Sequence, residues 1–479
     1  MGAGFHIENF GCRAARADGE AIAAQLSSAG HGQRPMPEAD VVVVNTCSVT
    51  AEADREARAY IRRVRRANPA AKIVATGCYA QRAPEELARL EGVAAVIGNS
   101  HKALAPEIVL GLTKGAAPES HVDLVPLASL AGPVILADDS FAHSFLEKAQ
   151  VAPGAQTRPN LKIQEGCGNR CSFCVIPQTR GSSRSLPTAS VLRQVEGFVA
   201  AGGLELVFSG INLGRWGRDL TPTLAEESRK NGAPGTLAQL VRSIFAETEL
   251  ARLRLSSIEP MDWDAELIGL MAEFGGSSLA RHAHLPLQSG SDAVLRRMHR
   301  RYRPWHYAEK VAALVKAAGP ELTLGADVMV GFPGETDAEF EETLELVRAL
   351  PFGYLHLFPF SPRPGTRAWA LHAERPVASE AVKERMQVLR KLATEKMHTH
   401  RERLIGRTLP AITLHTPATL AASGRTTALT ENFIPVEIEG HFEANQLVQV
   451  CADGLTPDGE LAAHVFTANS CGQRTAVAI

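Results

Sequence analysis

The sequence predicts an α/β protein in three parts: an N-terminal open parallel α/β domain, a central α/β block of six strand–helix units, and a small all-β barrel at the C-terminus. Three observations predict it. Apolar, β-branched runs alternate with helical stretches up to about residue 112, and again from residue 161. A stretch rich in Gly, Pro and Ser separates the two series. After Gly406 the pattern changes to short strands in close succession. The length of 479 residues agrees, because domains of roughly 150 residues would number about three.

Residues 1–112 form the first domain. "FHIENF" reads as a strand and "DGEAIAAQLSSAG" as a helix stopped by Gly30. "ADVVVVN" is a buried strand, "AEADREARAYIRRVRRANP" a helix ended before Pro69, and "AKIVATG" the next strand. Residues 113–155, with "TKGAAPES" and "QVAPGAQTRPN", read as a linker. Residues 156–385 hold six strand candidates: "LKIQEG", "LELVFSG", "RLRLSSI", "HAHLPLQ", "TLGADVMVGF" and "YLHLFPF". Six such units make either an open doubly wound sheet or an incomplete barrel. Residues 215–235 read as an irregular excursion at the active edge. Residues 386–479 begin in one long helix, "ASEAVKERMQVLRKLATEKMHTHRERLIG", and continue as four short strands, "TLPAITL", "FIPVEIEG", "QLVQVCA" and "LAAHVFT". There is no internal repeat and no low-complexity tract.

Composition excludes several classes. The net charge of −2 gives no global sign of nucleic acid, and eight cysteines are too few for a disulfide scaffold of this length. The start "MGAGFHIENF" lacks the basic and apolar regions of a signal peptide, and His6 breaks the myristoylation pattern. The run "VVVVN" is far short of the ~20 residues that cross a bilayer. A soluble cytoplasmic protein without a membrane partner is expected.

The cysteines carry the chemistry. Cys12, Cys47 and Cys78 each follow a predicted strand. In a parallel sheet all three reach the carboxyl edge, where open α/β sheets bind ligands. A lone cysteine is usually a buried small hydrophobe. Three at strand ends argue instead for a shared metal site. Cys167, Cys171 and Cys174 lie within eight residues after the first strand of the central block. Structural zinc prefers four ligands in a closed site. Three thiolates on a [4Fe–4S] cluster leave one iron without a protein ligand, a position open to a small chelating molecule.

"CGNRCSFC", with Phe173 before the third cysteine, resembles the radical S-adenosylmethionine signature C-x-x-x-C-x-aromatic-C. The resemblance implies a partial (β/α)6 barrel for residues 156–385. It also implies a [4Fe–4S] cluster on Cys167, Cys171 and Cys174 that chelates S-adenosylmethionine through its open iron, and reductive release of a 5′-deoxyadenosyl radical. Across residues 5–370 the chain is similar to the methylthiotransferases, in "NTCSVT", "TGCYAQ", "IQEGCGNRCSFCVIPQTRGSSRS", "LPLQSGSDAVLRRM", "GADVMVGFPGET" and "FPFSPRPGTRA". "TALTENFIPVEIEG" resembles the RNA-binding TRAM barrel. The family resemblance gives Cys12, Cys47 and Cys78 a second [4Fe–4S] cluster, which carries the sulfur to be inserted. One S-adenosylmethionine methylates that sulfur, and another yields the radical that activates the substrate carbon. The electron donor is a further, unidentified partner.

"SGINLGRWG" and "RLRLSSIEP" look like the branch acting on N6-threonylcarbamoyladenosine at position 37 of tRNA. Ser209, Gly210, Asn212, Ser256 and Glu259 are the candidate pocket residues. Ser209, Gly210 and Gln288 are the candidates for contact with S-adenosylmethionine. One departure stands out: the family's first motif usually carries Asn three residues after its cysteine and a bulkier residue two further on. Ala15 and Ala17 stand there, while Asp18 and Glu20 fit. The alternatives are an N6-isopentenyladenosine substrate, a ribosomal-protein aspartate, and a non-catalytic zinc-stabilised RNA-binding protein.

Two Arg-dense runs, Arg55, Arg58, Arg62, Arg63, Arg65 and Arg66, then Arg296, Arg297, Arg300, Arg301 and Arg303, are solvated helix faces or phosphate footprints. "VGFPGET" is not a phosphate-binding G-x-x-x-x-G-K-[ST] loop and reads as a tight turn. His282 and His284 share one strand face, with no neighbouring motif to complete a metal site. Cys451 and Cys471 read as buried thiols.

Overall fold

The computed structural model describes residues 3–114, 133–141, 146, 157–220 and 235–466. Cys471 and most of the expected linker and excursion lie outside them. The first domain is a parallel sheet of β1 (Gly4–Asn9), β2 (Gly32–Gln33), β3 (Val41–Thr46), β4 (Lys72–Gly77), β5 (Val93–Gly98) and β6 (Val134–Leu136), in the order β2-β1-β3-β4-β5-β6. The unbroken valine run of β3 follows from burial on both faces. Val42 and Val44 pack with Ala57, Ile61 and Val64 of helix Ala51–Ala67. Val41 and Val43 pack with Ala21, Ile22 and Leu26 of helix Arg13–Ser28. β6 corrects the reading of 113–155 as linker alone: it pairs in parallel with β5. Its three residues are too few to show a period.

The central block contains the six expected strands, β7 (Asn160–Glu165), β9 (Glu205–Gly210), β10 (Arg252–Leu255), β11 (His282–His284), β12 (Thr323–Val330) and β13 (Phe352–Pro359), parallel within each ladder. A two-residue strand that was not expected, β8 (Arg184–Ser185), runs antiparallel beside β7. The ladders β10-β9-β7-β8 and β11-β12-β13 are linked where Ile258 donates its N–H to the His284 carbonyl at 3.0 Å. The result is a partial barrel rather than a doubly wound sheet. Leu161, Ile163, Leu206, Phe208, Leu253, Ala326 and Val328 pack beneath the outer helices. By strand alternation the opposite face, carrying Lys162, Arg254, His284, Asp327 and His356, lines the interior.

The N-terminal domain covers the gap between β7 and β13. Helix Arg13–Ser28 packs against β7 and β9. Beyond β13, Ser361 Oγ accepts the Ala51 N–H at 2.9 Å and Arg363 reaches Asp54 at 2.6 Å. Trp216, at the start of the expected excursion, is buried and donates to the Leu186 carbonyl at 3.0 Å. "VGFPGET" forms a tight turn, with Gly331 and Gly334 at φ of 76° and 73° and the Glu335 carboxylate accepting the Gly331 N–H at 2.8 Å.

Helix Ser379–Glu402 leads to a closed barrel of β14 (Thr408–Thr413), β15 (Arg425–Thr430), β16 (Pro435–Glu439), β17 (Leu447–Leu455) and β18 (Leu461–Val465), in the order β14-β15-β16-β18-β17. β15 is a fifth strand that sequence reading missed. Its "RTTALT" has no alternating apolar pattern, yet Ala428 packs in the barrel core. The turn after β15 docks on the amino end of the partial barrel. Glu431 accepts from Arg281 at 2.7 Å, Asn432 donates to the Glu321 carbonyl at 2.7 Å, and the Phe433 ring lies 4.5 Å from that of His282. Among the described residues no helix is long and apolar enough to cross a membrane.

Beneath the helix end, buried His400 shares a 2.9 Å hydrogen bond with Thr323 Oγ1. Burial, with Arg403 and Arg401 adding, lowers its pKa to about 4. A lowered histidine pKa favours the neutral folded form. Its contribution is therefore complete above the ordinary value of about 6.5 and is lost as pH falls from there towards 4. Thermal unfolding from pH 7 to 4.5 should show this acid loss, and His400→Gln should remove part of it. An identical pH slope in the variant would assign the loss to other groups.

Candidate metal centres and active site

Cys12, Cys47 and Cys78 follow β1, β3 and β4, which are adjacent in the sheet. Cys12 is the N-cap residue of helix Arg13–Ser28, and Cys78 opens helix Cys78–Arg82. The chain at Gly11, with φ of 102°, passes so near Cys47 that a Cβ there would lie 2.8 Å from its sulfur. Only glycine permits that approach. Donors already face the sulfurs: Val49 N–H points at Cys47 Sγ at 3.5 Å and Asn99 Nδ2 at Cys78 Sγ at 3.4 Å. Burial, with the Cys78 and Cys12 thiols adding, pushes the Cys47 thiol up to about 12. Cys12 is exposed while Cys47 and Cys78 are buried, and a buried thiol such as Cys47 that resists ionisation on its own is one that a bound metal would deprotonate. Ala15 and Ala17 are buried, and the Asn45 side chain donates to the Ala15 carbonyl at 2.5 Å.

Cys167, Cys171 and Cys174 follow β7 in a loop held by Cys167 N–H to the Gly181 carbonyl, 3.1 Å, and Cys174 N–H to the Cys171 carbonyl, 3.2 Å. Asn169 N–H, Asn212 Nδ2 and Ile176 N–H point at the sulfurs of Cys167 and Cys174 at 3.4–3.5 Å. Arg300 Nη1 lies 3.3 Å from Cys171 Sγ, while its Nη2 holds Glu259 at 2.5 Å. Burial pushes the Cys174 thiol up to about 12, with Cys171 and Cys167 adding, and raises Cys167 as well. The cysteines of both sets are free thiols. Phe173 packs edge-on against Phe332, 6.4 Å between centroids.

The other candidates ring the carboxyl ends of the strands. Ser209 is spent on the Leu161 carbonyl, at 3.4 Å. Gly210 packs on Gln164, whose Oε1 accepts the Asn212 N–H at 2.7 Å. Asn212 Oδ1, Ser256 Oγ and Gln288 Oε1 are buried polar atoms without a hydrogen-bond partner among the described residues. Gln288 is also held at φ of 63°, left-handed and strained for a residue with a Cβ. Buried polar atoms are normally paired. Three orphans at one barrel mouth beside a three-thiol loop fit a polar ligand such as S-adenosylmethionine.

Sequence reasoning missed what lies between the two thiol sets. Asp18, from the N-terminal domain, accepts from Lys102 at 2.8 Å, from Lys162 of β7, and from Arg180 at 3.4 Å. Glu165 accepts from Lys162 at 2.8 Å and from Arg180. All five side chains are buried, and three cations against two carboxylates leave a surplus of one positive charge. Asn99 Nδ2 ties Cys78 to this centre by donating to the Thr179 carbonyl at 2.8 Å, next to Arg180. A lysine inside the apolar strand "LKIQEG" was the available signal, since lysine is almost never buried unpaired.

His282 and His284 both hydrogen-bond to Tyr354 Oη, at 2.8 and 2.9 Å. Contrary to the sequence reading, a carboxylate does complete the group: Asp327 lies 3.2 Å from His284 and 3.3 Å from His356. Burial opposes its ionisation, but those two contacts outweigh burial and hold the Asp327 carboxyl below the usual range. The second arginine run is ion-paired within the chain, through Asp292, Glu339, Glu259 and Asp262, rather than presenting free cations. Cys451 is buried in the barrel.

Known proteins resemble the chain in sequence and in fold. A model of the radical SAM superfamily matches residues 161–347, and one described as uncharacterized protein family UPF0004 matches residues 4–98. The chain is 33% identical over 450 residues to the threonylcarbamoyladenosine tRNA methylthiotransferase MtaB of Aquifex aeolicus (strain VF5), covering 93% of this chain and 98% of that one. It is 36% identical to the protein of the same name from Bacillus subtilis (strain 168), over 76% and 74% of the two chains. It is 34% identical to a tRNA-2-methylthio-N(6)-dimethylallyladenosine synthase of Geobacter metallireducens, over 82% and 84%. In fold it is similar to the radical S-adenosylmethionine methyltransferase TsrM from Kitasatospora setae, with a TM-score of 0.51 and 16% identity over 78% of this chain and 75% of that one. With relatives of this identity matching nearly its whole length, the chain belongs to the radical S-adenosylmethionine methylthiotransferase family.

Proposed function

We propose that the protein attaches a methylthio group to carbon 2 of N6-threonylcarbamoyladenosine at position 37 of tRNA. The observation that carries this reading is the pairing of two three-thiol sets, each at the carboxyl edge of its own sheet, across one buried ionic centre. Cys167, Cys171 and Cys174 would hold one [4Fe–4S] cluster and Cys12, Cys47 and Cys78 the second. When bound, these groups and S-adenosylmethionine supply radical C–H activation and the methylthio group.

The chain's own residues do the rest. Asn212, Ser256 and Gln288 orient the polar ends of S-adenosylmethionine with their orphaned atoms. Arg300 steadies Cys171 and Glu259 together. The N-terminal domain packs over one side of the interior and the turn at Glu431–Phe433 docks on its amino end, which reduces the access of water to a carbon radical. The terminal barrel binds the RNA, and exposed Arg62 and Arg66, which have no carboxylate partner among the described residues, add phosphate contacts. The electron donor is a further, unidentified partner. The polar wall of His284, Asp327, His356 and Tyr354 suits a base with a polar N6 substituent better than an apolar isopentenyl one.

Nucleoside mass spectrometry of tRNA from cells with and without the protein tests this. The 2-methylthio derivative of N6-threonylcarbamoyladenosine should vanish on deletion. Its persistence, with loss of the methylthio form of isopentenyladenosine, would replace the substrate. Unchanged tRNA would turn the search to a ribosomal-protein aspartate.

A further inference from the structure

Below the two thiol sets the interior holds more positive charge than its own carboxylates neutralise. Glu205 is shared among Arg158, Arg252 and Arg254, at 3.8, 3.3 and 3.0 Å. Arg158 Nε, Arg252 Nε and Arg254 Nη1 remain buried and unpartnered among the described residues. Arg13 has no carboxylate partner among them either. Its guanidinium lies 5.3 Å from the centre of the Phe433 ring, against which Arg254 also rests at 5.2 Å. A cavity of about 450 Å³ opens here, lined by Arg13, Arg16, Arg158, Asn160, His415 and Phe433 among others and by no acidic side chain. Arg13, Arg16 and Arg158 line an open space without acid, and Arg252 and Arg254 stand behind it around the shared Glu205, a setting of excess positive charge that makes a site for an anion.

The anion's source follows from the chemistry of the base. In an N6-substituted adenine, carbon 2 and the N6 group flank the same ring nitrogen. The threonylcarbamoyl chain, which ends in a carboxylate, therefore extends along the edge that must face the sulfur donor. Arg13 is bonded in sequence to Cys12, so the two α-carbons are about 3.8 Å apart. We propose that Arg13 and this cavity bind the carboxylate of the N6 substituent, so that Arg13 selects the threonylcarbamoyl base over neutral analogues. This rests on the substrate reading above and names the residue that enforces it. Arg16 is engaged with Glu20 at 3.0 Å and plays the lesser part.

The test uses the reconstituted full chain and three anticodon stem–loops, carrying threonylcarbamoyladenosine, isopentenyladenosine or unmodified adenosine at position 37. The wild type should bind the first about tenfold or more tightly than the other two, as a charge-assisted pair predicts. Arg13→Gln should erase that preference while its affinity for the two neutral loops holds, and Arg13→Lys should keep most of it. Equal weakening on all three loops, with a shallower salt dependence, would make Arg13 a backbone-phosphate contact and overturn the proposal. So would an undiminished preference in Arg13→Gln. Iron content and the thermal midpoint of each variant separate misfolding from lost recognition, and Arg158→Gln provides a second lesion in the same cavity. Product analysis with the wild type keeps the two readings apart. If threonylcarbamoyladenosine is methylthiolated and Arg13→Gln retains its preference, only the role of Arg13 falls. If the wild type modifies only isopentenyladenosine, the substrate reading falls.

Discussion

Cys171→Ala should abolish S-adenosylmethionine cleavage and product formation, and should lower bound iron from about eight atoms per chain to about four. The three cysteines of this loop are its whole set of thiols, so two cannot hold a cubane with one iron left free for S-adenosylmethionine. Cys47→Ala should remove the same share of iron by the other route. It should leave S-adenosylmethionine cleavage in place while product is lost, because its sulfur belongs to the sheet at the other side of the ionic centre. Iron and labile-sulfide analysis beside assays of 5′-deoxyadenosine and product reads both. Two variants with the same phenotype would contradict a division of labour between the sets. Zinc in place of iron in the anaerobically purified protein would contradict the chemistry altogether.

Asp18→Asn should lower the thermal midpoint by roughly 10 °C, the shift expected when removal of one partner strands buried charge at a cost of about 3–5 kcal/mol. Asp18 is fully buried and faces Lys102, Lys162 and Arg180. Without its charge, Glu165 alone opposes three cations, two of which belong to the central block. The loss therefore falls on docking of the N-terminal domain, and limited proteolysis should release that domain sooner. Burial works against the Asp18 carboxylate, but the three cations outweigh it and hold its pKa below the usual range. The sign follows: its contribution is complete above the ordinary carboxylate value of about 3.9 and is lost as pH falls below that. Lys102→Met in the Asp18→Asn background should restore part of the midpoint by removing one stranded cation. A single variant that melts with the wild type would show that the centre adds nothing to docking.

Much of this protein was legible from the chain alone. The valine run of β3 and the Gly and Pro stops located strands and helices because burial on two faces and helix termination are local properties. The spacing of Cys167, Cys171 and Cys174 carried its meaning in eight residues. Strand direction even placed Cys12, Cys47 and Cys78 on one edge, since parallel strands end on the same side. Local pattern failed where it was weak. The three residues of β6 were too short to show a period, and the threonines of β15 masked a barrel strand.

What only the tertiary structure decided is the partnership of distant charges. Asp18 and Lys162 lie 144 positions apart, Asp327 joins His284 and His356 from another strand, and Arg13 meets a ring from the terminal barrel. A side chain's charge is visible in sequence, but whether that charge is solvated, paired or left facing a cavity depends on which surfaces the folded chain brings together. The sequence alone determined which six cysteines are the candidate ligands and the strands that carry them. The closure of one domain over another determined the electrostatics between them, because desolvation and pairing act through space and not along the chain.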